Sequence, residues 1–263
     1  MGEAPLLEVD GIRKAFGGVL AVDGASFTVE AGTVTALIGP NGAGKSTAVG
    51  IIGGALAADE GRVGFRGDEI TGLAPHRIAR RGLIRTFQIS REYPAMTVLE
   101  NLMVSPMNQE GEKLATALLA HRRYRKQERE LVLKALDVLA DFGLYGMRDE
   151  YARNLSGGQK RLLELARSVM ADPVMLILDE PMAGINPALV SHIGEHILRL
   201  REAGVSFLMV EHNLEVVERI CDHVIVLAVG RTLARGTMAE LRQNEAVVNA
   251  YLTGGGVDAG TAR

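Results

Sequence analysis

The chain carries one cysteine, Cys221, in 263 residues. A lone thiol excludes an internal disulfide framework and fits a reducing compartment. Aromatic side chains make up only 4% of the residues. No basic stripe with interleaved aromatics is present, so a surface that stacks bases is not expected. Lys and Arg number 29 against 32 Asp and Glu, a net charge of −3, and nothing global argues for nucleic-acid binding. Every apolar run falls short of the roughly 18 residues that a spanning helix needs. Met1-Gly2-Glu3-Ala4-Pro5 lacks a basic region followed by an apolar core, so no signal peptide is expected. The expectation is a soluble cytoplasmic chain that meets a membrane only through partners.

Glycine is plentiful, 31 residues, and the chain is 47% hydrophobic. That is enough to bury a full core, and it suits an α/β protein with tight turns and close backbone approach to a ligand. Much of the glycine meaning is concentrated in Gly39-Pro40-Asn41-Gly42-Ala43-Gly44-Lys45-Ser46, which fits G-x-x-x-x-G-K-[ST], the phosphate-binding loop. The apolar run 33–38 before it reads as a buried strand, and a helix is expected from about Lys45 to Gly53. Strand, glycine loop and helix together turn backbone N–H groups and a positive dipole end toward one anion. Lys45 is placed to reach the outer phosphates, and the Ser46 hydroxyl to ligate magnesium. On its own the loop says only that a nucleoside triphosphate binds.

Elsewhere, alternation predicts strands at 6–12, 26–29 and 61–67, and Pro75 opens a short helix to about Arg81. From Thr86 to Asn154 the pattern turns helical. Thr97 with Glu100 reads as a capping box, and 127–142 as an amphipathic helix stopped by Gly143. The basic run His121-Arg122-Arg123-Tyr124-Arg125-Lys126 reads as a solvated helix face, with lipid headgroups or a partner loop as the lesser alternative. The α/β rhythm then resumes, with helices at 156–170, 187–203 and 213–220 and strands at 174–178, 205–210, 223–228 and 231–234. Thr237 with Glu240 opens one terminal helix reaching Tyr251, and a glycine-rich tail follows, expected to be disordered.

Met175-Leu176-Ile177-Leu178-Asp179-Glu180 is an apolar strand ending in two carboxylates. Downstream of a phosphate loop, the Asp is suited to hold magnesium and the Glu to accept a proton from an attacking water. Leu155-Ser156-Gly157-Gly158-Gln159 forms a second anion cradle at a helix start. One nucleotide does not need two cradles from one chain. Two chains arranged head to tail would use both, each nucleotide lying between one chain's loop and the other's Ser-Gly-Gly.

With these motifs in order, the sequence resembles the ATP-binding cassette (ABC) ATPases over nearly its whole length. The resemblance makes Phe16 the aromatic that stacks on adenine. It makes Gly39, Asn41, Gly42, Ala43, Gly44, Lys45, Ser46 and Thr47 the nucleotide-binding loop, and Ser156, Gly157, Gly158 and Gln159 the signature. Gln88 becomes the glutamine that joins Ser46 and Asp179 at magnesium, Glu180 the catalytic base, and His212 the switch histidine; Gly184-Ile185-Asn186 falls at the D-loop. It implies an α/β fold: a P-loop NTPase core with an N-terminal antiparallel β-subdomain and an inserted α-helical subdomain. One cassette over 1–253 is expected, with core 1–86 and 155–235, helical subdomain 87–154, C-terminal helix 236–253 and tail 254–263.

Finer details resemble the cytoplasmic ATPase subunits of branched-chain amino acid importers. Arg85-Thr86-Phe87-Gln88, Met96 to Leu102, and Asn186 where most cassettes carry Asp are shared with that branch, as is the ending Val247 to Leu252. Met182, Ile185 and Lys160 depart from its commoner Ala, Leu and Gln. The resemblance implies ATP and Mg2+ as ligands and peripheral attachment to the cytoplasmic face of the inner membrane. Its partners would be transmembrane permease subunits, a second ABC ATPase subunit and, indirectly, an external solute-binding protein. A lipopolysaccharide-export ATPase, or a non-transport cassette acting on DNA or ribosomes, are the alternatives.

Overall fold

The computed structural model describes residues 4–86, 92–106 and 121–254. Gln88 and residues 255–263 lie outside the described residues, so the expectations for the magnesium-organising glutamine and for the tail do not bear on it. Two sheets carry the fold. The first is antiparallel, in the order β2–β1–β4–β5, from β1 (Leu7–Phe16), β2 (Val19–Val29), β4 (Glu60–Phe65) and β5 (Asp68–Glu69). Strand β1 runs past the predicted end at Ile12. Gly11, at φ 59°, introduces a register shift between Val9 and Ile12 instead of ending the strand, which is how a bulge bends a strand without breaking it.

The second sheet has the order β10–β9–β3–β8–β7–β6. It comprises β3 (Val34–Ile38), β6 (Leu83–Arg85), β7 (Met175–Asp179), β8 (Ser206–Val210), β9 (His223–Ala228) and β10 (Arg231–Gly236). All its pairings are parallel except the edge pair β9–β10. Strands β3, β7 and β8 are buried at every residue, as continuous apolar runs in a parallel sheet covered on both faces require. Along β8 the side chains alternate between two cores: Leu208 and Val210 pack toward the antiparallel sheet, Phe207 and Met209 toward helices on the opposite face. Strand β6 escapes sequence reading because three residues are too few to show a period.

The helices are α1 (Lys45–Ile52), α2 (Pro75–Ala79), α3 (Val98–Met103), α4 (His121–Asp141), α5 (Gly157–Met170), α6 (Pro187–Glu202), α7 (Leu214–Ile220), α8 (Met238–Arg242) and α9 (Glu245–Gly254). Helix α3 carries the predicted box, with Glu100 N–H donating to Thr97 Oγ1 and Thr97 N–H to Glu100 Oε2. Helix α4 starts six residues before the predicted position, so the basic run forms its opening turns; Arg125 and Lys126 are exposed. Its inner face presents Ala135, Val138 and Leu139 to the second core, and Phe142 follows it there. The C-terminal segment is two helices where one was expected. Asn244 Oδ1 accepts from the N–H groups of Ala246 and Val247 at 3.0 and 3.4 Å, capping a new helix and ending the old one. Among the described residues, no helix is long and apolar enough to cross a membrane.

Candidate functional site

Strand β3 sits centrally in the parallel sheet, and its C-terminal end delivers the chain into the glycine loop. Two glycines there are compulsory. At Gly39, φ 152°, a Cβ would stand 2.1 Å from the Leu227 carbonyl oxygen; at Gly44, φ 96°, it would stand 2.4 Å from that of Ala21. Both obstacles are backbone, so neither can yield. The loop is further clamped by the β9–β10 turn, where Gly230 N–H donates to Ala43 O at 3.1 Å.

Lys45 is buried, and its Nζ donates to the carbonyls of Gly39 and Pro40 at 2.7 and 3.0 Å. Burial pulls its pKa below the usual lysine value, opposed by the negative charges of Glu180 and Asp179. The ammonium is thus folded back across its own loop, with its charge balanced by the two carboxylates at the end of β7. A cleft of about 370 Å³ opens over the loop, lined by Val19, Leu20, Asn41 to Thr47, Glu180 and His212. Phe16 is exposed and lies in register with Val19, one of the lining residues, at the end of β1.

Glu180 follows β7 directly, in a left-handed backbone conformation at φ 51°. Its N–H donates to Val210 O at 3.0 Å, and its Oε1 lies 2.7 Å from His212 Nε2. Asp179 is 3% exposed; Oδ2 accepts from Arg85 Nη2 at 3.0 Å, while Oδ1 is buried and has no partner among the described residues. A buried carboxylate oxygen left in that state is suited to a cation, and an oxygen donor of this kind fits magnesium.

The structure therefore brings Gly39 to Thr47, Asp179, Glu180 and His212 to one end of the parallel sheet. It leaves Ser156, Gly157, Gly158 and Gln159 outside the cleft, at the start of α5. There Ser156 Oγ accepts from Gln159 N–H at 3.3 Å, and Gln159 Oε1 accepts from Ser156 N–H at 2.9 Å, a closed capping box. A Cβ on Gly158 would meet Leu189 of α6 at 2.1 Å, so this glycine also sets how closely the two helices pack.

Three functional neighbours escaped the sequence reading. Arg85 reaches Asp179 only because β6 lies beside β7. Glu92 forms an ion pair with Lys160 at 2.7 Å, tying the segment before α3 to the start of α5. Glu211, a buried acid just past β8, lies beside His212 in the sequence, but nothing local to it shows that Met182 meets its carboxylate.

The chain matches the family described as "ABC transporter" over residues 22–183. It is 42% identical to a protein of Archaeoglobus fulgidus named probable branched-chain amino acid transport ATP-binding protein LivG, over 94% of this chain and 95% of that one. It is 40% identical to the high-affinity branched-chain amino acid transport ATP-binding protein BraF of Pseudomonas aeruginosa, over 94% and 98%. A crystal structure of the ADP conformation of an ATP-binding cassette of an ABC transporter superposes with a TM-score of 0.81 at 38% identity, covering 95% of this chain and 99% of that one. With a phosphate loop, paired carboxylates and a histidine converging on one cleft, and with these likenesses spanning nearly the whole chain, the protein belongs to the ABC transporter family as one of its ATP-binding cassettes.

Proposed function

We propose that this ATPase powers the import of branched-chain amino acids or related substrates through separate membrane-spanning permease subunits, from the cytoplasmic face of the membrane. The observation that carries the catalytic half is the Glu180–His212 contact of 2.7 Å at the mouth of the Lys45 cleft. The transport half rests on relatives named for branched-chain amino acid transport at 40–42% identity over nearly the full length.

In this reading the amides of residues 41–46 and the Lys45 ammonium hold the phosphates, Lys45 exchanging its two carbonyl partners for phosphate oxygens. Phe16, with Val19 and Leu20, receives the base. Ser46, Asp179 and Gln88 would hold magnesium, which would neutralise charge on the phosphates. Glu180 takes a proton from the attacking water. His212, whose Nε2–H donates to the Glu180 carboxylate, turns that donor to the γ-phosphate when nucleotide enters. Ser156 to Gln159 complete the site of a second cassette, because they lie outside the cleft of their own chain. A head-to-tail dimer, with a paralogue or a second copy, is then required for turnover. Residues 1–253 form one cassette, with 87–154 as the subdomain that receives the permease.

The test is affinity capture of the Glu180→Gln variant, with ATP, from detergent-solubilised native membranes. Multi-span permeases and a second cassette support the proposal. Capture of ribosomal or DNA-associated proteins with no membrane protein would overturn it.

A further inference from the structure

Glu211 is 4% exposed, and among the described residues no Lys or Arg pairs with it. A buried carboxylate with no cation is costly and persists where its acceptor oxygens are needed. Each oxygen is met by backbone donors. Oε1 accepts from Met182 N–H at 3.1 Å; Oε2 accepts from His212 N–H at 3.1 Å and Asn213 N–H at 3.5 Å. All three partners are donors and so favour the ionised acid, while burial, the larger effect, raises its pKa above the usual carboxylate value.

The two segments joined this way are the ones that carry the reactive pair. Met182 lies two residues beyond Glu180, and His212 is the group that meets the Glu180 carboxylate. Neither segment is held by regular structure at that point. Glu180 occupies a left-handed conformation that a non-glycine residue adopts only when its surroundings impose it. His212 lies between the end of β8 and Asn213, the N-cap whose Oδ1 accepts from Glu215 and Val216 N–H. The Val210 carbonyl fixes Glu180 from the N-terminal side, and the Met182 bond to Glu211 fixes it from the other.

We infer that Glu211 is a positioning residue for ATP hydrolysis: its carboxylate bridges the backbone after Glu180 to the backbone of His212 and so sets the distance between base and histidine. The inference rests on the roles proposed above for Glu180 and His212. Gln cannot replace the acid fully, because its amide nitrogen would face an N–H donor on one arm; Ala removes both arms.

The test uses the full chain assembled with its membrane partners, with single-turnover hydrolysis so that slow variants stay measurable. Glu211→Gln is expected to lower the hydrolysis rate about 10-fold and Glu211→Ala about 100-fold, with KM for ATP changed less than twofold. Combined with His212→Gln, Glu211→Gln should add less than twofold to the loss, since both act on one unit. Multiplicative losses, a KM that rises as the rate falls, or a Glu211→Gln rate within twofold of the parent would overturn the inference. If Glu211→Ala fails to fold, the Glu211→Gln arms decide alone. Normal turnover by Glu180→Gln would instead refute the underlying assignment, whatever Glu211 does.

Discussion

His212 Nε2 stands 2.7 Å from Glu180 Oε1, although 32 residues separate them in the chain. The contact exists because β7 and β8 are parallel neighbours, with Asp179 in register with Val210. Glu180 leaves that end of the sheet one residue after Asp179, and His212 two residues after Val210. Parallel pairing thus converts two strand ends into one acid–histidine unit beside the phosphate loop. That end of a parallel sheet is where α/β folds collect ligand-binding loops.

Glu180→Gln keeps the shape of the side chain and a hydrogen bond to His212 but removes the base proposed above. Turnover should fall by about 10²–10⁴-fold, the range for loss of a general base. ATP affinity should stay within a fewfold of the parent, because the proposed reading assigns the phosphates to Lys45 and the loop amides. Phosphate release and a fluorescent-nucleotide titration measure the two separately. A parallel loss of affinity and rate would mean that Glu180 binds nucleotide instead of activating water.

Gly44→Ala places a methyl group 2.4 Å from the Ala21 carbonyl oxygen, at a backbone φ of 96°. The left-handed conformation alone costs about 1–2 kcal/mol, and the carbonyl belongs to β2, so the loop must deform. Nucleotide binding should be lost. Gly146→Ala is the matched control, with no positive φ and nothing within 4 Å of its Cβ. Its binding and melting midpoint should match the parent. Equal behaviour of the two variants in calorimetric titration would remove the steric argument.

The readable parts of this chain were those in which chemistry and local pattern coincide. Gly39 to Ser46 announces its anion site through residue type and spacing, and Thr97–Glu100 and Ser156–Gln159 announce helix starts through reciprocal hydrogen bonds between near neighbours. Arg85 and Glu211 could not be placed this way. Arg85 matters only because a three-residue strand lies against β7, and Glu211 only because Met182, 29 positions away, turns its N–H toward it. The Asn244 cap was missed for a different reason. Apolar periodicity continues across it, and one side chain accepting two N–H groups decides against a continuous helix.

Arg85→Met would leave the Asp179 carboxylate, 3% exposed, without its direct ion-pair partner, with the Lys45 ammonium as the charge that remains near it. Removing one partner of a buried ion pair costs about 3–5 kcal/mol, which for a chain of this size lowers the melting midpoint by on the order of 10 °C. Saturating MgATP should recover most of that loss, because the cation supplies the missing charge at Asp179. EDTA with ATP should recover much less. A midpoint equally depressed in MgATP and in EDTA would mean that Asp179 does not receive the metal.

His196 provides a pH-dependent term remote from the cleft. It is buried on α6, stacked on Phe142 with ring centroids 4.3 Å apart. Arg199 donates to its Nδ1 at 2.8 Å. The neutral ring therefore carries its proton on Nε2, which faces His192 Nε2 at 3.2 Å. Burial first, then the charges of Arg199 and His192, push its pKa down from 6.5 to about 4. A depressed native pKa means that the unfolded chain binds the proton first. The stability is fully present above pH 6.5 and is lost as pH falls toward 4, by up to about 3 kcal/mol at 1.36 kcal/mol per pH unit. His196→Leu retains an apolar contact with Phe142 and has nothing to protonate. Urea unfolding of the two proteins between pH 7 and 4.5 should show a shallower acid loss in the variant. Identical slopes would show that the native pKa of His196 is not depressed, and the acid sensitivity would have to come from carboxylates.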